Sequence, residues 1–315
     1  MKSTYLLLYL LTLFACTQTE TTQTQKVTDS PYQQSFQALT LLGDSLFSAP
    51  EPAEGTLAKY DSAKAEYELQ PNDPMALIWY GRRAGYLGKY KQAIEIFTEG
   101  IEKHPEDARM YRHRGHRYLS TRQYDKAIAD FEKAVQLIQG TDDQIEPDGL
   151  PNAKGIPISS LHGNIWYHLA LAHYLKLDFE AASKAYQARY ETHQNDDNIV
   201  SATHWYYMTL RRRGQDKEAQ ALLGPITPEL DIIENFVYHN SCQFYKGLLS
   251  EEELVDPNSE EYPGDVNLYA LGNWYLYEKE DLPAAKGYWE RLLKEGNKAS
   301  FAYLAAEAEL ASLKE

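Results

Sequence analysis

A run of cationic side chains between residues 109 and 120 is the part of the chain best suited to bind a charged group. At helical spacing this run divides into two stripes. Tyr111, Gly115 and Tyr118 fall on one stripe, and the other consists of Arg109, Arg112, His113, His116 and Ser120. A guanidinium group offers a planar fork of donors, so the second stripe suits a carboxylate or a phosphate.

Two histidines of this stripe raise the alternative of a metal site. His113 and His116 lie three residues apart on the predicted helix, and further ligands would have to come from His168, His173 or His204. His173 falls on a packing stripe, and no H-E-x-x-H or C-x-x-C motif accompanies the histidines. We therefore predict no metal and no cofactor.

The elements that carry these side chains repeat along the chain. Gly81, Tyr90, Ala93 and Phe97 recur 34 residues later as Gly115, Tyr124, Ala127 and Phe131. This period, with Gly early, Ala late and an aromatic residue four positions after the Ala, resembles the tetratricopeptide repeat family. The resemblance implies an all-α, right-handed superhelical solenoid of antiparallel helix hairpins, with no sheet.

The residues themselves support this interpretation. Leu77, Gly81 and Ala84 share one helical stripe, and the next segment repeats the pattern with Ile94 and Phe97. The glycine has no side chain, so it lets a partner helix approach closely. Each unit is a hairpin that cannot bury its apolar face alone, and stacking the hairpins forms one continuous core.

In the family that the chain resembles, the first helix of each hairpin lines a concave surface that contacts ligands. The matching positions in the neighbouring repeats are Arg82, Tyr86, Asn164, Tyr167, His168, Tyr174, His204, Met208, Arg211 and Arg212. We expect this stripe to bind a protein segment or an anionic small molecule. If a charged histidine takes part, the affinity should fall as the pH rises through about 6.5. The alternative is that the charges are solvated or pair with the chain's own carboxylates.

The N-terminal segment resembles a bacterial lipoprotein signal. Lys2 precedes an apolar run over 5–14, and Ala15-Cys16 follows it. The resemblance implies that residues 1–15 are removed and that Cys16 is lipidated, whereas an ordinary secretory signal is the alternative. Residues 17–30 are rich in Thr and Gln and indicate a flexible tether. We expect the domain to lie in the periplasm or at the cell surface, with the outer membrane preferred to the inner one.

The remaining chain, 31–315, is interpreted as one repeat array. We predict helices over 31–47 and 56–69, a third repeat after residue 163, a fourth at 199–223, two short helices at 227–250, a hairpin at 267–295 and a solvating terminal helix at 301–313. Two inserts interrupt the array, at 140–163 and 251–265. The first is rich in Pro and Gly, and we predict that it forms a lid or rim over the groove; a neutral surface insertion is the alternative.

The composition limits the classes of function. The formal net charge is −15, which argues against nucleic-acid binding because phosphate contacts need a basic surface. No Gly-rich phosphate loop or nucleophile elbow is present. The preferred function is a lipid-anchored scaffold with a partner in its groove. The alternatives are a structural component of an outer-membrane assembly complex and an enzyme whose site lies under the first insert.

Overall fold

The computed structural model describes residues 34–49, 51–147, 150–256 and 261–314, so the predicted signal, tether and lipidated cysteine lie outside the described residues. The elements in chain order are β1 (Phe36–Leu39), β2 (Ser45–Phe47), α1 (Glu54–Leu69), α2 (Pro74–Tyr86), α3 (Tyr90–Lys103), α4 (Ala108–Ser120), α5 (Tyr124–Ile138), α6 (Leu161–Leu175), α7 (Phe179–Glu191), α8 (Asp196–Arg212), α9 (Asp216–Leu222), α10 (Phe236–Lys246), α11 (Glu251–Leu254), α12 (Asp265–Glu278), α13 (Leu282–Glu295) and α14 (Phe301–Ser312). The predicted helical-repeat solenoid is confirmed. None of the helices in these ranges combines the length and the apolar character needed to cross a membrane.

The three central repeats fold as hairpins, α2–α3, α4–α5 and α6–α7. Asp73 and Asp107 begin α2 and α4 by accepting hydrogen bonds from backbone N–H groups of the first turn. The period-34 glycines allow the close approach that was predicted. A Cβ atom on Gly81 would lie 2.5 Å from the Phe97 ring, and one on Gly115 would lie 2.9 Å from the Phe131 ring.

The N-terminal segment differs from the prediction. Residues 36–47 form an antiparallel β-hairpin instead of a helix, so the expectation of no sheet is also wrong. The cause is the turn at 40–44, where Gly43 adopts a positive φ of 93° and a helix could not continue. Ala38 and Leu46 pair across the strands and pack on Tyr90 of α3, which fixes the hairpin to the first repeat.

Two other segments depart from their predicted form. Residues 227–250 contain one helix, α10, and residues 227–229 do not begin a helix. The acidic insert contains the four-residue helix α11, which Ser250 caps through a reciprocal pair of hydrogen bonds with Glu253. Its residues 257–260 lie outside the described part of the chain.

The C-terminal helix α14 is the largest departure. It was predicted to be a solvating end helix, but every residue from Ala302 to Leu310 is buried. It packs against α13, α12 and α6, and so covers part of the inner surface of the array. Its alanines permit this close packing, and its two buried glutamates, Glu307 and Glu309, form ion pairs with Arg122 of the α4–α5 turn and Arg212 of α8. The groove is therefore partly filled by the chain itself.

Candidate functional site

A partly enclosed cavity of about 120 Å³ lies on the inner surface of the first two repeats. It is lined by Arg82, Tyr86, Phe97, Arg112, His113, His116 and Arg117. Helices α2 and α4 supply all of these residues except the phenylalanine, which comes from α3. Five of the seven are residues that the repeat register predicted to bind a ligand. The structure thus brings together the N-terminal half of the predicted site.

The first insert lies against this site and carries an internal counter-charge. Glu146 forms an ion pair with Arg112, with Nη2 and Oε2 2.9 Å apart. The same carboxylate accepts a hydrogen bond from the Asn164 side-chain amide. The Pro147 carbonyl accepts a hydrogen bond from Arg82 Nη1 at 2.7 Å. Backbone bonds between Glu146 and Ser159 and a bridge between Ile145 and Ser160 hold the insert in this place. Its end differs from the predicted boundary, since α6 already begins at Leu161.

The cavity carries more positive than negative charge. Glu146 is the carboxylate paired with Arg112, whereas Arg82 is bonded to an uncharged carbonyl and to the Tyr86 hydroxyl. Within the described ranges, the Arg117 guanidinium has no hydrogen bond or ion pair, and it lies over the face of the Tyr90 ring, 5.5 Å from its centroid. Burial and the charges of Arg112 and Arg82 lower the pKa of Arg117. An anion in the cavity would remove this repulsion.

The cavity histidines are neutral bases. Burial, aided by the Arg112 charge, lowers the pKa of His113 well below its usual value, and burial with the Arg117 charge does the same for His116. Arg112 Nη1 donates to His113 Nδ1 at 2.8 Å, so the proton of the neutral ring lies on Nε2. The expectation that a charged histidine controls affinity near pH 6.5 therefore disagrees with the structure, because these rings are uncharged at that pH.

Helix α14 closes the site on its C-terminal side. The Phe301 ring lies 5.5 Å from the centroid of His116 and 5.5 Å from that of His168. Burial and the Arg112 charge lower the pKa of His168 to about 3, and its Nδ1 contacts the Asn164 carbonyl at 2.6 Å. His168 and Asn164 thus support the edge of the cavity, while Tyr167 is turned to Tyr238, with the hydroxyl oxygens 3.4 Å apart.

Beyond Phe301, the charges of the inner surface are paired internally. Arg122, in the α4–α5 turn, forms an ion pair with Glu307 of α14, with Nη2 and Oε2 2.7 Å apart. Both side chains are almost fully buried, with exposed fractions of 3% and 1%. Arg212 pairs with Glu309, which also accepts a hydrogen bond from the Tyr269 hydroxyl. The Arg212 position was predicted to face a ligand, and a glutamate of the chain's own last helix occupies that place.

Five further predicted residues lie away from the cavity. Arg109 pairs with Asp107 at the start of its own helix. Arg211 pairs with Asp216 and Glu278. His204 is fully buried, its ring stacked on Tyr245, and burial lowers its pKa to about 3. Met208 and Tyr174 are likewise fully buried. In the fourth repeat, His204 and Met208 therefore belong to the core, and the arginines are paired with carboxylates of the chain.

Sequence reasoning missed Arg117 and Glu146. A signal for the first was present, because Arg117 stands 34 residues after Arg83 and directly after His116 in the predicted register. It was absent from the predicted set because only one helical stripe was considered. Glu146 had no such signal, since it lies in a segment without helical periodicity and meets α4 only through the fold.

The site has few groups for catalysis. The lining contains no Ser, Thr or Cys nucleophile, and a histidine whose pKa is far below 7 is a weak general base. Among the described residues, no group of three or more His, Cys, Asp or Glu could hold a metal ion. The arrangement of guanidinium groups, a phenol and neutral imidazoles can bind an anion through charge-assisted hydrogen bonds.

Comparison with known proteins agrees with the helical-repeat class of fold. The tetratricopeptide repeat family model matches residues 81–142, which include both period-34 units, so this segment is similar to that family. Domains of this family are protein-interaction scaffolds that bind protein or peptide partners. No curated protein matches the sequence.

Solved structures are similar at low identity. The tetratricopeptide repeat protein YrrB, described as having an unusual peptide-binding site, is 16% identical with a TM-score of 0.42, and the match covers 81% of this chain and 100% of that one. A tetratricopeptide repeat protein from Parabacteroides merdae is 16% identical with a TM-score of 0.48, over 81% of this chain and 92% of that one.

Proposed function

We propose that the protein is a lipid-anchored scaffold of the bacterial cell envelope that binds an acidic group of a protein partner in the cavity between α2 and α4. The proposed anchor is Cys16, and the proposed membrane is the outer one. The observation that carries the binding proposal is the excess of guanidinium groups: Arg82, Arg112 and Arg117 line one cavity, and among the described residues only Arg112 of the three forms an ion pair, with Glu146.

The chain contains ion pairs of the same arginine–carboxylate type. On the C-terminal part of the inner surface, a helix presents Glu307 and Glu309 to Arg122 and Arg212. The cavity offers the same kind of cation but lacks the second carboxylate. A partner segment with one Glu, Asp or terminal carboxylate would complete the charge pairing, and its neighbouring apolar residue would contact Tyr86.

Size limits the bound group. A cavity of about 120 Å³ accommodates a carboxylate with its adjoining carbons and leaves the remainder of a peptide outside, along the insert. An anionic small molecule of similar size is the second candidate, favoured by the partial enclosure of the cavity. The two differ in whether the affinity depends on residues flanking the acid.

The test begins with capture of partners from detergent-solubilised envelopes by the full-length acylated protein. The recovered segment is then titrated by calorimetry against wild type and Arg82→Gln. We expect at least about a tenfold loss of affinity for the variant, because a hydrogen bond to a charged group contributes about 1.5–3 kcal/mol. The matched control is Arg291→Gln, an arginine paired only with Glu295 on the outer helix α13. Equal affinities for both variants would place the binding site elsewhere.

A further inference from the structure

The outward face of the N-terminal β-hairpin is apolar and has no partner in the described fold. Phe36, Leu39 and Phe47 point away from the core, with exposed fractions of 42%, 56% and 49%. Leu41 at the turn is 42% exposed. The Phe36 and Phe47 rings contact each other edge to face, with centroids 6.1 Å apart, and Leu39 and Leu41 lie on the same hairpin at the end of β1 and in the turn.

This exposure is not a consequence of how the hairpin folds. Its opposite face already supplies the packing, through Ala38 and Leu46 against Tyr90. Further bonds hold it in place: Gln37 Oε1 accepts from the Lys91 backbone at 3.0 Å, and Glu307 accepts from the Leu41 backbone at 2.5 Å. Polar residues at the outward positions would leave all of these contacts intact. A contiguous apolar surface that folding does not require is typical of an interaction site.

Two features of the chain indicate what covers this surface. The hairpin is the described element nearest in sequence to Cys16, only 20 residues before Phe36. Fully extended, that length of chain spans at most about 70 Å, so an anchored protein keeps the hairpin near the bilayer. In addition, the Lys91 ammonium lies 4.5 Å from the centroid of the Phe36 ring. A cation beside an aromatic surface suits the headgroup region, where a lysine reaches phosphates while apolar groups enter the acyl boundary.

We propose that the face formed by Phe36, Leu39, Leu41 and Phe47 inserts into the interface of the membrane that carries the anchor. This inference rests on the lipid anchor of the proposed function. An apolar contact with the membrane interface adds to the affinity that the lipid anchor supplies. The contact also orients the protein, because it places the first repeat next to the bilayer.

A spin label at position 39 tests the contact directly. In the full-length acylated protein, Leu39→Cys and the control Leu69→Cys each carry one nitroxide, since Cys242 is fully buried and the Cys16 thiol is consumed by acylation. Leu69 is 79% exposed and is the last residue of α1. After reconstitution into vesicles of phosphatidylethanolamine and phosphatidylglycerol, we expect the label at 39 to become accessible to oxygen and shielded from a water-soluble nickel complex. The label at 69 should remain exposed to water.

Two additional arms separate the possible failures. Mass spectrometry of the mature N-terminus reports on the anchor alone. If Cys16 carries no lipid, the anchor proposal fails. The same two labels are then measured in a Cys16→Ser background at about millimolar lipid. In that background the accessibility of the label at 39 to oxygen and nickel must still change on adding vesicles, and that of the label at 69 must not. Adding Phe36→Ser and Phe47→Ser should reduce vesicle binding of that background about tenfold or more, whereas Phe236→Ser, a change at a remote exposed aromatic residue, should not. Labels at 39 and 69 that behave alike in vesicles would overturn the inference.

Discussion

The two parts of the inner surface differ in how their arginines are paired. In the C-terminal part, Arg122 and Arg212 are paired with glutamates that α14 inserts between the repeats. In the N-terminal part, Arg82 and Arg117 surround an open cavity without a carboxylate of their own. In the C-terminal part the chain's own glutamates neutralise the arginines, whereas the N-terminal part keeps an excess of positive charge.

This difference teaches that a cationic stripe in a helical-repeat protein does not by itself mark a ligand site. Both parts carry arginines, and the placement of the last helix decides which of them are paired within the chain. Where α14 covers the surface, its glutamates pair with Arg122 and Arg212. Beyond Phe301, the first residue of α14, that helix supplies no carboxylate to Arg82 or Arg117.

The largest expected effect comes from breaking an internal pair. Glu307→Gln should lower the free energy of unfolding by about 3–5 kcal/mol, because Arg122 would remain buried without a counter-charge. The measurement is chemical denaturation monitored by circular dichroism. The double variant Arg122→Met with Glu307→Leu is the control, since removing both charges should recover most of the loss. A single variant as stable as wild type would show that α14 is not held by this pair.

The next effect is the loss of stability in acid, which both parts share. Burial lowers the pKa of His168 and of His204 to about 3. Between about pH 6.5 and 3 the unfolded chain binds protons at these rings and the folded chain does not, so stability falls as the pH falls through this window. Each ring contributes up to about 1.4 kcal/mol per pH unit.

The acid effect is checked by urea denaturation at pH 7.0 and 5.5. The variant His204→Phe should lose less stability between these values than wild type, because one depressed site is absent. His193→Gln, at an exposed histidine, is the control and should follow wild type. A wild-type protein equally stable at both pH values would contradict the assignment of neutral buried rings.

A smaller effect distinguishes the open part. Glu146→Gln should destabilise the free protein by about 1–3 kcal/mol, because Arg112 loses its counter-charge. The same change should strengthen binding of an acidic segment by up to about tenfold, since the internal carboxylate no longer neutralises the cavity. Thermal denaturation of the free protein measures the loss of stability, and calorimetry measures the change in affinity for the acidic segment. Weaker binding by this variant would mean that Glu146 contacts the partner instead of opposing it.

The sequence predicted the parts of the fold that local patterns determine. The glycines Gly81 and Gly115, each facing an aromatic ring of the following helix, are encoded within one repeat period. The hairpin at 36–47 was missed because its turn residues at 40–44 were not recognised as a break in a helical pattern. Turn chemistry of this kind outweighs apolar content over so short a segment.

Of the site, the sequence predicted only those residues whose positions follow from the 34-residue repeat period. Arg82, Arg112 and His116 line one cavity because the 34-residue period fixes their side of the helix. The ion-pair partners could not be predicted, since Glu146, the partner of Arg112, lies in an insert without helical periodicity and Glu307 lies 185 residues from Arg122. The same holds for the lowered histidine pKa values, which depend on burial by Phe301 and the insert.

The most direct test compares two arginines that lie five residues apart in the chain and differ in their pairing. Arg117→Gln removes a charge without an internal partner, and Arg122→Gln removes one that is paired with Glu307. For Arg117→Gln we predict a loss of about 1.5–3 kcal/mol in binding of the recovered acidic segment, measured by calorimetry, with little change in unfolding free energy. That affinity should be constant from about pH 6 to 8, because arginines and not histidines carry the charge. For Arg122→Gln we predict the reverse, a less stable protein that binds with nearly wild-type affinity under conditions where it is folded. Unchanged binding by Arg117→Gln, or an equal loss of binding in both variants, would contradict the division of the inner surface into a filled part and a ligand-binding part.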